Sequence, residues 1–406
     1  MTTRSISRTA SPGSKRSRSG SPMSRDSADT LPVAPTSATE SAQEEARLPP
    51  SPPSFLRQTK AEIHTTFVDL EWRQRHRLAQ ASQTTDPPSE WTRLTGEDVL
   101  QRNRYLNVDP YANRRIHLRV PEGHSDYINA SPILLQNNST SRMSHYIATQ
   151  GPKEASSSHI WRMIWHETGP VAVIVMLTQT YEAGKEKCFQ YFPSDLKNPT
   201  IPINEDDEFG DGFIGSINLL DITEDPRTRS TIRKMKLVVG KESKTVWHLL
   251  FSGWPDFLIP EGEDRAALLE LIKASAALNN GDDNVTDALS RPRADTESNA
   301  NPRIVHCSAG VGRSGTFIAL DHLTNDLALG VLDDIPDEQD VIADTVDELR
   351  KQRMMMVQGE AQFHFLYEVL RGQWAERHGP INSLTGDEAT EQEARQEPEL
   401  KVPRVG

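Results

Sequence analysis

The chain has 406 residues, a formal net charge of −13 and a hydrophobic content of 35%. That charge argues against general affinity for nucleic acid or anionic membrane, no stretch approaches the ~20 apolar residues of a membrane span, and the N-terminus lacks a signal peptide's apolar core. Length alone allows two domains, but the missing apolar residues are gathered into Ser/Pro/Arg-rich and acidic stretches, which predicts one large folded domain with disordered tails.

In chain order, residues 1–55 lack hydrophobic periodicity and read as a disordered tail. Arg4, Arg8, Lys15, Arg16, Arg18 and Arg25 make it basic, and Ser11-Pro12, Ser21-Pro22 and Ser51-Pro52 have the form of kinase sites. Lys15-Arg16-Ser17-Arg18 has the character of a nuclear-import segment, although solvated disorder accounts for the same charge. From Phe55 through Phe67, Leu70 and Trp72 to Leu78 the apolar spacing turns helical and opens the folded domain, assigned to 56–379. The run 171–177 is predicted as a strand buried on both faces, and 232–239 and 246–251 as further strands. Helical patterns occupy 265–278, 341–353 and 362–374. This interleaving predicts an α/β (α+β) domain with a twisted mixed sheet flanked by helices. Residues 279–302 show no sustained apolar face and read as a flexible insertion that loops out, and 380–406 form an acidic disordered tail.

The segment with most chemical content is Val305-His306-Cys307-Ser308-Ala309-Gly310-Val311-Gly312-Arg313-Ser314-Gly315-Thr316. A short buried strand ends at His306, and Phe317, Leu320, Leu323 and Leu327 mark a helix beyond. The loop between therefore sits at a strand-to-helix turn. Its N–H groups, freed by Gly310, Gly312 and Gly315, form an anion nest reinforced by the positive end of the helix. The same field lowers the pKa of Cys307, so a nucleophilic thiolate is expected at neutral pH. Arg313 adds a planar fork that matches two phosphoryl oxygens. A lone cysteine is more often an inert core residue, but a core cysteine needs no glycines and arginine around it. The only other cysteine is Cys188. With one of the two a nucleophile, no structural disulfide is left, which fits a reducing compartment, the cytoplasm with the nucleus also open.

The motif resembles the signature loop of the cysteine-dependent, non-receptor protein tyrosine phosphatases, and further matches extend across the folded domain. Trp254-Pro255-Asp256 resembles the family's mobile acid loop, which makes Asp256 the general acid and Phe257 an apolar cover over the substrate ring. Arg102 to Tyr111 is similar to the phosphotyrosine-recognition loop, with Tyr105 stacking on the substrate ring and setting the depth of the cleft. Asn107 stands where the family more often grips the substrate backbone with Asp. Asp126-Tyr127-Ile128-Asn129-Ala130 and Tyr146 to Pro152 resemble structural signatures. Glu182 to Cys188 resembles the loop whose Glu orients the arginine and whose Lys, here Lys187, approaches the acid loop. Gln358-Gly359-Glu360-Ala361-Gln362 matches the segment that places two glutamines at the phosphoenzyme. Gln358 then orients the attacking water, Gln362 contacts the phosphate surroundings, and Ser314 eases departure of the thiolate. His306 holds the loop by hydrogen bonds.

The resemblance implies an enzyme without metal or organic cofactor that hydrolyses phosphotyrosine in proteins. Mitogen-activated kinases and other tyrosine-phosphorylated signalling proteins are its substrates by analogy. A dual-specificity or lipid phosphatase shares the Cys/Arg loop, and Tyr105 and the Trp254 loop argue against it. A catalytically dead phosphotyrosine-binding module is the rival outside enzymology, and the presence of Cys307, Arg313 and Asp256 argues against that.

Overall fold

The computed structural model describes residues 51–83, 86–137, 143–254, 258–290, 300–379 and 381. In chain order the elements are α1 (Lys60–Ala81), α2 (Glu97–Arg102), β1 (Ala130–Gln136), β2 (Met143–Thr149), α3 (Ser157–Glu167), β3 (Val171–Met176) and the short pair β4 (Tyr181–Glu182) and β5 (Lys185–Glu186). Then come β6 (Thr200–Ile203), β7 (Gly215–Asp225), β8 (Ser230–Val239), β9 (Glu242–Phe251), α4 (Gly262–Asn279) and α5 (Val285–Ser290). The last are β10 (Arg303–His306), α6 (Gly312–Ala328), α7 (Val341–Gln352) and α8 (Glu360–His378).

One sheet runs in the order β1-β2-β10-β3-β9-β8-β7-β6. Its centre, β2, β10, β3 and β9, is parallel, and both flanks are antiparallel. This is the mixed sheet that the interleaved periodicities predict. Strand alternation then assigns each side chain to a layer. Along β3, Val173, Val175 and Leu177 join the core beneath α1, α4, α6, α7 and α8. Ala172, Ile174 and Met176 join a second core with Ile160, Trp161, Met163 and Ile164 of α3. Both faces of the strand are thus covered, which is why 171–177 is apolar without interruption.

The structure moves both edges of the expected appendages. Phe55, assigned to the disordered tail, is completely buried beside Leu56, and each contributes roughly 1.5–3 kcal/mol by leaving water. Arg371 of α8 donates to the Leu56 carbonyl (2.8 Å) and to that of Gln58, closing this corner. Trp72 is not part of the apolar face; it is 62% exposed, with the Arg75 guanidinium over its ring. The flexible insertion assigned to 279–302 opens with a helix, α5, whose Val285 is buried against the core. Its ends are tied together, since Asn279 Nδ2 donates to the Asn301 carbonyl (2.9 Å) and Asn301 Nδ2 donates to that of Val171 (2.8 Å). Residues 1–50, 291–299 and 382–406, and with them the expectations for the tails, lie outside the described residues. Among the described residues no helix is long and apolar enough to cross a membrane.

Candidate active site

Cys307 follows the last residue of β10, a central parallel strand, so it stands at the C-terminal edge of the sheet, where open α/β sheets bind ligands. Between it and α6 the chain must turn tightly. Gly310 has φ +71°, and a Cβ there would collide with the Thr149 carbonyl of β2. Gly312 and Gly315 have ordinary φ and are required by proximity instead. A Cβ on Gly312 would sit 3.0–3.1 Å from the Gln362 amide, and one on Gly315 would collide with the Val357 nitrogen. The expectation that all three glycines free the loop's amides therefore holds by conformation for Gly310 alone.

Beneath the loop lies a residue that the sequence reading took for the end of a helix. Arg353 is completely buried and donates to the carbonyls of Gly310 (2.8 Å) and Ala309 (3.1 Å), and to Asn129 Oδ1 (2.7 Å). With those carbonyls drawn toward Arg353, the Gly310 N–H points at Cys307 Sγ, 3.2 Å away. Burial pushes the Arg353 pKa down to about 10, which leaves it charged at neutral pH.

Burial by itself raises the Cys307 pKa, but the Ser314 hydroxyl, the Arg313 charge and the amides of Ser314 and Gly310 outweigh it and hold the thiol below its ordinary value. The Ser314 hydroxyl is buried, and no hydrogen bond of ordinary geometry occupies it, so its proton is free to serve the sulfur. Arg313 is clamped from two sides. Nη1 donates to the Leu177 carbonyl (2.9 Å) and Glu182 Oε1 (2.6 Å), and Nη2 donates to Glu182 Oε2 (2.9 Å). Burial would raise the Glu182 pKa, and the Arg313 hydrogen bonds and charge reverse the shift, so Glu182 is a carboxylate. The Thr178 hydroxyl (2.9 Å) and Gln179 N–H (3.0 Å) hold it in turn. As an isolated residue Glu182 reads as surface charge, and only the resemblance assigns it to the arginine; the β4–β5 turn carries it to Arg313.

His306 lies 3.2 Å by Nδ1 from the Cys307 carbonyl and 2.7 Å by Nε2 from the Tyr191 hydroxyl. A carbonyl only accepts, so Nδ1 carries the proton and Nε2 accepts from Tyr191. Burial pushes the His306 pKa down to about 4. The ring is thus neutral and joins the Cys307 carbonyl to the Tyr191 hydroxyl. Cys188 is also buried and forms no disulfide, but there burial outweighs the Arg104 charge and raises its pKa strongly. In mildly acidic buffer a haloacetate is therefore expected to alkylate Cys307 and spare Cys188. Peptide mapping checks this, and labelling mainly at Cys188 would contradict the electrostatic account.

Around this centre, the Tyr105 hydroxyl lies 2.8 Å from Ser308 Oγ, and Ser308 Oγ donates to the Lys187 carbonyl (2.9 Å). One hydroxyl thus joins the Tyr105 loop, the Cys307 loop and the β4–β5 segment. Asn107 is exposed at the rim, beside Leu106 at 74% exposure. The side chain of Val311 is buried, so this residue offers the site only its backbone. Gln362 and Gln358 lie above Gly312, with Gln358 Cβ 3.4 Å from the position of a Cβ there. Gln362 Oε1 also accepts from the Gly359 N–H (3.3 Å), capping α8. Asp256 and Phe257 lie outside the described residues. Their loop is framed by Trp254, which is buried and donates Nε1–H to the Leu258 carbonyl (3.0 Å).

The two structural signatures prove to be the scaffold of the Tyr105 loop. The buried Asn103 Oδ1 accepts from Tyr127 (2.7 Å) and Asn129 (2.9 Å), and the Gln150 amide pairs with the Arg104 N–H (2.8 Å) and the Arg102 carbonyl (2.7 Å). Asn129 also meets Arg353, so one connected network spans from Tyr105 to Cys307.

The family model of protein-tyrosine phosphatase matches residues 99–371. The chain belongs to this family. It is 35% identical to tyrosine-protein phosphatase 2 of Schizosaccharomyces pombe over 70% of this chain and 36% of that protein. It is 36% identical to the human phosphatidylinositol phosphatase PTPRQ over 72% of this chain but 10% of that one. Thus the chain spans about a third or less of the first curated relatives it matches. Tyrosine-protein phosphatase 1 of Saccharomyces cerevisiae is matched almost throughout, with 34% identity over 79% of this chain and 96% of the relative. The solved catalytic domain of human protein tyrosine phosphatase non-receptor type 18 superposes with a TM-score of 0.58 at 27% identity, covering 79% of this chain and 99% of that one. The same phosphatase is also known in complex with HER2 phosphopeptides.

Proposed function

We propose that this phosphatase-family chain hydrolyses phosphotyrosine in proteins through a cysteinyl phosphate. The observation that carries this reading is a thiol of lowered pKa in the same loop as an arginine whose fork is clamped by Glu182 and the Leu177 carbonyl. The Cys307 thiolate attacks phosphorus in line, forming an S–P bond as the P–O bond to the tyrosyl oxygen breaks. Arg313 and the loop amides hold the equatorial oxygens, and Asp256 gives its proton to the departing phenolate. A water oriented by Gln358 then forms the new P–O bond, Asp256 takes its proton, and the Ser314 hydroxyl receives the returning thiolate by hydrogen bond. Phosphate and the free thiolate result.

Tyr105, fixed to Ser308, walls the entrance and favours a long aromatic ester over a phosphoserine. The complexes of the structural neighbour with phosphopeptides support a phosphorylated protein as substrate. Tyrosine-phosphorylated signalling proteins, mitogen-activated kinases among them, are the partners this reading names. The free thiols of Cys188 and Cys307 support a non-receptor role in a reducing compartment, the cytoplasm and also the nucleus. The name of the relative PTPRQ, phosphatidylinositol phosphatase, makes a lipid substrate the second reading.

The test compares a phosphotyrosyl peptide, its phosphoseryl counterpart and a phosphoinositide, each in the presence of a strong chelator. The account expects turnover of the phosphotyrosyl peptide far above the other two, undiminished by chelation. Preference for the phosphoinositide establishes the lipid reading. Activity that needs an added divalent metal contradicts thiolate chemistry, and peptide binding without turnover identifies a dead module.

A further inference from the structure

The turn from Met354 to Val357 joins α7 to α8 and delivers Gln358, and its backbone is strained. Met355 and Val357 have φ of +62° and +55°, a region disfavoured for any L residue and most of all for a β-branched one. Such a conformation persists where the surroundings over-determine it, and it concentrates at functional sites. Gln358 itself is exposed, so its position is inherited from this turn.

Much of what holds the turn comes from α1, which lies outside the segment matched by the family model. Phe67, Glu71 and Gln74 stand at i, i+4 and i+7, on one face of that helix. Gln74 Oε1 accepts from the Met355 N–H (3.2 Å), while Gln74 Nε2 donates to the Tyr111 hydroxyl (3.2 Å). Glu71 Oε1 pairs with Arg350 Nη1 at 2.9 Å. Arg350 is completely buried and donates from Nε to the Met356 carbonyl (3.0 Å) and from Nη2 to the Val357 carbonyl (2.9 Å). Phe67 lies under the Arg350 guanidinium, 5.5 Å to the ring centroid, and against Phe363 of α8, 5.6 Å between centroids. On its far side the turn reaches the phosphate loop, where the Val357 N–H donates to the Val311 carbonyl (3.2 Å).

We infer that α1, through Gln74 and the Glu71–Arg350 pair, positions Gln358 and so governs hydrolysis of the phosphoenzyme while leaving its formation untouched. The first step is largely insulated because Cys307 and Arg313 are held by Arg353, Glu182 and the Leu177 carbonyl, none of which belongs to α1, while the turn meets their loop through the Val357–Val311 backbone bond. Glu71, Gln74 and Arg350 are positioning residues in this scheme, and the inference rests on the phosphatase reading above.

The full-length chain is tested as Glu71→Ala, Gln74→Ala, Gln358→Ala and the double variant Glu71→Ala/Gln358→Ala. Glu71 is partly exposed, but its removal strips the buried Arg350 of its ion-pair partner, so Gln74→Ala, which leaves that pair intact, probes the same turn through a separate contact. Rapid mixing with p-nitrophenyl phosphate reads the formation step, and acid quenching with a ³²P-labelled phosphotyrosyl peptide reads the steady-state phosphoenzyme. Each α1 variant is expected to lower the hydrolysis rate on the order of tenfold, short of the ~10²-fold that a 1 Å misplacement can cost. The trapped fraction rises, and the burst rate stays within about twofold of the parent. Because Glu71 acts through Gln358, the double variant is expected to be no slower than Gln358→Ala. Equal losses in both steps, or losses that multiply in the double variant, overturn the inference in favour of a merely structural helix. A parent protein that forms no phosphoenzyme overturns the phosphatase reading itself.

Discussion

Replacing Cys307 with serine is expected to abolish turnover, with a loss of roughly 10⁶ in kcat, the size seen when a covalent catalyst loses its nucleophile. The surroundings of this residue are built to ionise a thiol. Arg313, the Ser314 hydroxyl and the Gly310 and Ser314 amides together overcome the burial that would otherwise keep it protonated. A serine hydroxyl starts from a far higher pKa, so the same field leaves it un-ionised, and no comparable nucleophile forms. Arg313 keeps its Glu182 clamp in the variant, so affinity for a phosphotyrosyl peptide should survive. Stopped-flow with p-nitrophenyl phosphate together with a binding titration checks both halves. A phosphoenzyme burst from the serine variant would remove Cys307 from its assigned role.

Asp256→Ala is expected to lower kcat while preserving substrate affinity. In the proposed mechanism its carboxyl group acts as the phenolate departs and as water attacks, whereas the Cys307 loop and Arg313 already hold the phosphate in the ground state. General acid–base groups contribute ~10²–10⁴ in rate, and a leaving group with pKa near ~10 puts this loss in the upper part of that range. The variant should therefore retain tyrosine-phosphorylated proteins from a lysate, with vanadate, which occupies the phosphate loop, releasing them. Arg313→Ala should lose capture and turnover together, because it removes contacts made in both states. Turnover by Asp256→Ala at the parent rate would transfer the acid role elsewhere.

The Cys307 loop was legible because each of its residues answers to a local demand: a strand end, a tight turn, a helix start and a phosphate-shaped cation. The strands β3, β8 and β9 were legible because apolar content or alternation marks them. β7 was missed, since it carries a bulge between Leu219 and Asp221 and much of it faces solvent, so its alternation is broken. α3 was also missed, although Ile160, Trp161, Met163 and Ile164 offered an apolar helical face. The buried charges were the least visible feature. Nothing in the sequence pairs Arg303 with Asp321 or Arg350 with Glu71, or seats Arg353 under the Cys307 loop. Their partners lie between 18 and more than 270 positions away, and pairing at such separation leaves no periodic trace. The three glycines of the loop divide for a related reason. Conformational need at Gly310 is local, but the need at Gly312 and Gly315 arises from α8 and its preceding turn, which pack against them only in the folded chain.

The central claim is that the reaction passes through a phosphoryl group on Cys307. Its most direct test is to mix the full-length chain with a ³²P-labelled phosphotyrosyl peptide, quench in acid within the first turnovers, and map the label. The account predicts acid-trapped label on the peptide that contains Cys307, which is lost on incubation with active enzyme and absent from Cys307→Ser. Turnover with no label on the protein, or with label on any other residue, would contradict it.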